Sequence, residues 1–125
     1  MIKFIIPLTP VSKKNSQRIF VNKRTGRPFI MPSKKYVEYE KTAMLYIPRH
    51  ININEAVEVK CLFYMPTRRK CDLTNMLEAV DDIMVKARLL SDDNYNIIAS
   101  HDGSRVLYCK GKPRTEVEIK KVKEG

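Results

Sequence analysis

Residues 70–86 read KCDLTNMLEAVDDIMVK, and the spacing within this stretch decides how the chain folds. Leu73, Met76, Leu77, Val80, Ile83, Met84 and Ala87 recur at i, i+3 and i+4. At roughly 100° per residue that gathers them onto about one-third of a helical wheel. The spacing predicts an amphipathic helix with one face in a core. Asp72, Asn75, Asp82 and Lys86 share the opposite quadrant, Glu78 stands at its edge, and Asp81 borders the apolar stripe on the other side. Asp81 and Asp82 are read as acids of the helix surface, whereas Asp72 stands at the first turn, where the helix dipole favours a carboxylate.

Upstream, Val57–Tyr64 alternates at first and then becomes wholly apolar, as a central strand does, and Pro66 ends it. Downstream, residues 89–94 form a loop carrying Asp92 and Asp93, and Tyr95–Ser100 reads as a strand. Asp102-Gly103 can make a tight turn into a partner strand Arg105–Cys109, or the same residues can bulge from one long strand. Thr115–Lys120 alternates strictly.

On the N-terminal side, Ile2–Ile6 is a β-branched and aromatic strand closed by Pro7 and Pro10. Ile19–Val21 and Pro28–Met31 flank a turn at Thr25-Gly26, giving a basic hairpin or loop. Ser33 is placed to cap a helix over Lys34–Tyr46, which Pro48 stops. These elements predict an α+β fold: one domain over residues 1–125, a mixed sheet of about five strands, and two helices.

Composition narrows the function classes. No apolar run approaches the roughly 18 residues that a membrane span needs, and the first residues lack the pattern of a signal peptide, so no membrane partner and a cytoplasmic location are expected. Three widely spaced cysteines indicate neither a disulfide framework nor a zinc site. With only two histidines, any metal here is expected to be oxygen-bound. Glycine-rich phosphate loops are absent, and no small-molecule cofactor is expected. Lys and Arg number 24 against 14 Asp and Glu, a formal charge of +10 that points to a polyanion, nucleic acid first.

Against that positive background the carboxylates suggest metal-assisted phosphodiester hydrolysis. Mg²⁺ keeps several waters and needs few protein ligands, so Asp72, Asp92 and Asp93, with the carboxamide of Asn75, suffice in kind. Arg68, Arg69 and Lys70 stand directly before Asp72 to hold phosphates. The plain structural alternative is that Asp72 caps a helix and Asp92-Asp93 belongs to a turn.

Asp72-Leu-Thr-Asn75, the amphipathic helix and the later Asp92-Asp93 together resemble the RusA-type Holliday-junction resolvases, dimeric phage and prophage endonucleases. Pro7, Pro10, Lys13-Lys14 and Pro32-Ser-Lys-Lys-Tyr36 fit the same family, so the likeness covers nearly the whole chain. The resemblance implies a dimeric RusA-like fold and a Mg²⁺-dependent nuclease of recombination and repair, with Mn²⁺ as a substitute, acting on branched DNA. It carries the first family aspartate onto Asp72, the asparagine onto Asn75 and the later aspartate onto Asp93, with Asp92 beside it. Two positions depart: the second family aspartate is Thr74 here, and the family's functional lysine is Glu78. Glu78 is a candidate to restore the lost carboxylate; a branched-DNA-binding protein without catalysis is the alternative. Phosphate contacts are expected from Lys13, Lys14, Arg18, Lys34, Lys35, Arg68, Arg69, Lys70 and Arg105.

A helix from Asp72 to Ala87 is roughly 22 Å long, so Asp93 meets Asp72 in one of two ways. Either the following loop doubles back, or Asp93 of one subunit joins Asp72 of another; the second also places two cutting sites across a junction. His101-Asp102-Gly-Ser104 is a turn rather than a catalytic relay, because adjacent residues cannot converge as a relay requires. His101 is expected to be exposed or to touch phosphate, and Tyr36 and Tyr39 to belong to the core or its rim.

Overall fold

Val57, Val59, Cys61 and Phe63 are buried while Glu58, Lys60, Leu62 and Tyr64 between them are only partly so, the two-residue period of a strand with one face in a core. The structure, a computed structural model, describes residues 1–13 and 17–122, with the backbone alone for Gln17, Arg18, Phe20, Ile30 and Pro32. Lys14 and the Arg18 side chain therefore lie outside the described residues.

In chain order the elements are β1 (Ile2–Ile6), β2 (Gln17–Val21), β3 (Pro28–Pro32), α1 (Lys34–Ala43), β4 (Val57–Met65), α2 (Leu73–Lys86), β5 (Ile98–Ser100), β6 (Arg105–Tyr108) and β7 (Arg114–Lys121). A 3-10 turn, Met44–Tyr46, extends α1 toward Pro48. Strands β1, β7 and β4 are antiparallel neighbours, and β5 and β6 both run parallel to β4 along its other edge. This mixed five-stranded sheet and two helices make a small α+β domain, as the periodicities predict. Hairpin β2–β3 forms a second, separate sheet.

The core lies between one sheet face and the helices. Ile6, Val57, Val59, Phe63, Val117 and Ile119 meet Met76, Ala79, Val80, Ile83 and Met84 of α2 and Tyr36, Tyr39 and Ala43 of α1. Both tyrosines are thus core residues. The opposite sheet face carries cross-strand ion pairs: Lys3 and Lys60 flank Glu118 at 3.2 and 3.9 Å, and Lys120 reaches Glu58 at 3.5 Å. Among the described residues no helix is long and apolar enough to cross a membrane.

Two expectations change. The strand expected from Tyr95 begins only at Ile98, because Asn94 draws the preceding residues into a turn: its carbonyl accepts from Ile97 and Ile98, and its side chain from Asn96. Arg105–Tyr108 is not an antiparallel partner of β5. Val57 pairs with Ile98 and Glu58 with Ser100, then Leu62 with Arg105, so β5 and β6 are one interrupted strand along β4, the bulged alternative.

Helix α2 ends in a Schellman motif: the Leu89 amide donates to Met84 O and the Arg88 amide to Val85 O. That puts Arg88 in the left-handed region at φ 59°, where glycine is usual. Residues 50–53 then run beside the chain that leaves the helix, with Asn52 N donating to Arg88 O and Ile53 N to Leu89 O.

Candidate active site and nucleic-acid interface

At the break between β5 and β6 the backbone leaves β4, and side chains take over the vacated hydrogen bonds. The Cys61 amide donates to Ser104 Oγ at 2.9 Å, and His101 Nδ1 lies 3.0 Å from the Val59 carbonyl. Gly103, at φ 83° and packed on the Lys60 side chain, makes the turn possible.

The other ring nitrogen, His101 Nε2, lies 2.8 Å from Asp81 Oδ2. The Val59 carbonyl and an ionised Asp81 are both acceptors, so the doubly protonated ring donates to both, whereas a neutral ring donates to only one. The Asp81 hydrogen bond is the chief reason that the His101 pKa is raised above its ordinary value. Asp81 is therefore not a surface acid of the helix: its side chain is only 13% exposed, and its Oδ1 is buried with no hydrogen-bond partner among the described residues. His101 is likewise neither exposed nor free to reach a phosphate, and this inward pair is a feature that the linear sequence did not reveal. Asp82 keeps to the helix surface, 3.5 Å from Lys13 and 3.9 Å from Lys86.

Asp72 caps α2. Its extended backbone enters the helix while Oδ1 accepts from the Thr74 amide at 2.9 Å. Asn75 is partly buried, and Thr74 and Glu78 are exposed on the first turns. Asp92 Oδ1 accepts from the Asp93 amide at 2.7 Å, and that bond holds the Asp92 carboxyl below its usual range. The Asp93 carboxyl is raised, first by desolvation, then by its hydrogen bond and charge interaction with Asp92, and further by Asp81. The α2 carboxylate whose charge reaches Asp93 is thus Asp81, about 13 Å along the helix from Asp72 at 1.5 Å per residue. Among the described residues no three His, Cys, Asp or Glu side chains are grouped to hold a metal ion.

The donor chemistry nonetheless fits a hard divalent cation. Every candidate ligand is an oxygen, the carboxylates of Asp72, Asp92 and Asp93 or the carboxamide of Asn75, and one or two carboxylates with waters satisfy Mg²⁺. Beside desolvation, two neighbouring carboxylates push Asp93 up, a repulsion that a cation relieves, and the buried Oδ1 of Asp81 lacks a donor among the described residues.

Cations border Asp72. Arg68, Arg69 and Lys70 fill the exposed link from β4 to α2, with the Arg68 guanidinium 4.3 Å from the centre of the Tyr108 ring. Tyr108 pairs with Met65 at the end of β4, so the following loop brings Lys110 and Lys112 to the same end of the sheet. These two lysines were missed, although the run Lys110-Gly-Lys-Pro113 signals a basic turn. Arg105 is exposed on β6, and Lys34 and Lys35 are exposed in the first turn of α1, where the dipole disfavours cations and a phosphate would compensate.

The geometry thus offers a carboxylate at a helix start among cations and a second acidic pair beyond the helix. The family pattern described as Endodeoxyribonuclease RusA matches residues 7–120. A crossover junction endodeoxyribonuclease RusA from Aquifex aeolicus (strain VF5) is 26% identical over 122 residues, 95% of this chain and 90% of that protein. Because the match runs from the proline after β1 almost to the end of β7, well over half of the chain, the chain belongs to the RusA endodeoxyribonuclease family.

Proposed function

We propose that this chain is a divalent-metal-dependent endodeoxyribonuclease that cleaves branched DNA such as Holliday junctions, working as a homodimer. The observation that carries the reading is the meeting, at one end of β4, of Arg68, Arg69 and Lys70 with the Asp72 carboxylate at the start of α2. The Aquifex relative bears a matching name, a crossover junction endodeoxyribonuclease.

In this reading the cations seat the DNA backbone, and recognition follows phosphate geometry rather than base edges, so affinity falls steeply with salt. Asp72, Asp92 and Asp93 would hold Mg²⁺, or Mn²⁺ in its place. When bound, the ion activates water and offsets charge on the phosphate. Asn75 positions water or a ligand, and Glu78 supplies a carboxylate near the position that Thr74 leaves uncharged. The separation along α2 favours a site shared between subunits, Asp72 from one and Asp93 from the other.

The test is a labelled four-way junction incubated with the purified protein in Mg²⁺ and in EDTA. Paired cuts in Mg²⁺, and none in EDTA, are expected; binding indifferent to salt would contradict the reading. The uncharged Thr74 and the sign inversion at Glu78 favour a second reading, a junction-binding protein without catalysis. The same assay separates the two, since the second gives a shifted junction that stays intact in Mg²⁺.

A further inference from the structure

Hairpin β2–β3 is a two-stranded sheet of its own, and its strands are rich in exposed apolar side chains. Ile19 and Val21, two residues apart and so on one face, are 76% and 61% exposed; Phe29 and Met31, on the other face, are 41% and 42% exposed. An isolated ribbon of this kind is marginal in water, and exposed apolar strands invite aggregation unless a partner uses them.

The tip is ordered and cationic. Asn22 Oδ1 accepts from the Arg24 amide, Asn22 N donates to Arg27 O, and Gly26, at φ 69°, returns its amide to Asn22 O. This loop presents Lys23, Arg24 and Arg27, and Lys34 and Lys35 follow β3. None of these five has an ion-pair partner among the described residues. The first 37 residues hold nine Lys and Arg and no Asp or Glu. A second copy would bring the same positive arm, whereas a nucleic acid brings phosphates for the tip and base faces for the apolar strands. The major groove admits a two-stranded ribbon, and apolar side chains are the groups that wedge against unstacked bases.

We infer that the β2–β3 hairpin is an arm that inserts at the branch point of DNA, its tip cations on phosphates and Ile19 and Val21 against the base faces exposed there. This rests on the proposed function for the substrate and adds the element that tells a branch from a duplex.

The full chain with Ile19→Ser and Val21→Ser together tests it, since both side chains are so exposed that the fold does not depend on them. Affinities are measured in EDTA for a four-way junction carrying 2-aminopurine at the crossover and for a duplex of the same arms. Sedimentation gives the mass of each free protein. Expected are a loss of at least about tenfold in junction affinity, about threefold or less for duplex, no fluorescence rise at the crossover, and unchanged mass. Ile19→Leu with Val21→Ile restores junction binding. Unchanged junction affinity, or an equal loss on duplex, overturns the inference while leaving the nuclease reading intact. A mass that falls in the serine variant overturns it in favour of a second copy on the hairpin. A wild-type protein with no preference for the junction defeats the function reading first, and the arm with it.

Discussion

Replacing His101 by Ala tests whether the ring is held as an imidazolium between Val59 and Asp81. The change removes a hydrogen bond to the buried Val59 carbonyl, worth about 1 kcal/mol, and a charge-assisted bond to Asp81, worth about 1.5–3 kcal/mol. It also strands a carboxylate whose other oxygen already lacks a donor among the described residues. Breaking a fully buried pair costs about 3–5 kcal/mol. Side-chain exposures of 25% and 13% lower that figure, and we expect about 2–3 kcal/mol near pH 6. The sign of the pH dependence follows from linkage. The folded pKa of His101 lies above the unfolded value of about 6.5, so between the two the folded state binds more protons and stability falls as pH rises. The stabilisation is full below about pH 6 and is lost as pH climbs through the raised folded value, leaving about 1 kcal/mol from the one hydrogen bond that a neutral ring still donates. Urea unfolding followed by far-ultraviolet circular dichroism, for both proteins at about pH 5.5, 7 and 9, measures the gap. A gap that stays constant, or widens toward pH 9, would refute the charged pair.

Arg88→Gly should raise stability by about 1 kcal/mol, read as a higher urea midpoint at unchanged slope, because glycine adopts the left-handed C′ position without penalty. Asp72→Ala should cost about 1 kcal/mol by removing the cap of α2, whereas Asp72→Asn should keep stability and abolish cleavage; full activity in Asp72→Asn would remove this residue from the chemistry. Dimers pairing an Asp72→Asn subunit with an Asp93→Asn subunit should retain one cutting site if sites are shared between subunits, and none if each lies within one chain. Arg69→Ala and Lys70→Ala should weaken junction binding and each lower the salt slope by about 1, in titrations from low to moderate salt.

Periodicity carried the two helices and the central strand because each buries one face: the stripe from Leu73 to Met84 and the alternation from Val57 to Phe63 are local signals of a global core. What escaped it depends on residues far apart in sequence. Asp81 sits at the edge of the helical stripe, and a wheel cannot tell a surface acid from one turned inward. Its partner His101 is 20 residues away, on a turn whose purpose becomes visible only when β5 and β6 align on the same edge of β4. The same turn left a hairpin and a bulge equally open because Asp102-Gly103 suits either role, and local preference does not state which strand a segment will pair with. Left-handed Arg88 was hidden for the converse reason, since an arginine carries no signal for a conformation imposed by Leu89 returning to the core.

Net charge is the clearest case of a signal that sequence supplies in amount but not in place. The open sheet face holds Lys3, Lys60 and Lys120 in register with Glu118 and Glu58, so its cations are spent on neighbouring strands. Arg68, Arg69, Lys70, Lys110 and Lys112 at one end of β4, and Lys23, Arg24 and Arg27 at the hairpin tip, have no such partners among the described residues. An excess of +10 spread evenly would attract a polyanion without orienting it. Neutralising one face and leaving the others charged turns the same excess into a directed field. Its unneutralised cations lie beside Asp72, where carboxylates alone would repel a phosphate, and at the tip of the hairpin that exposes Ile19 and Val21.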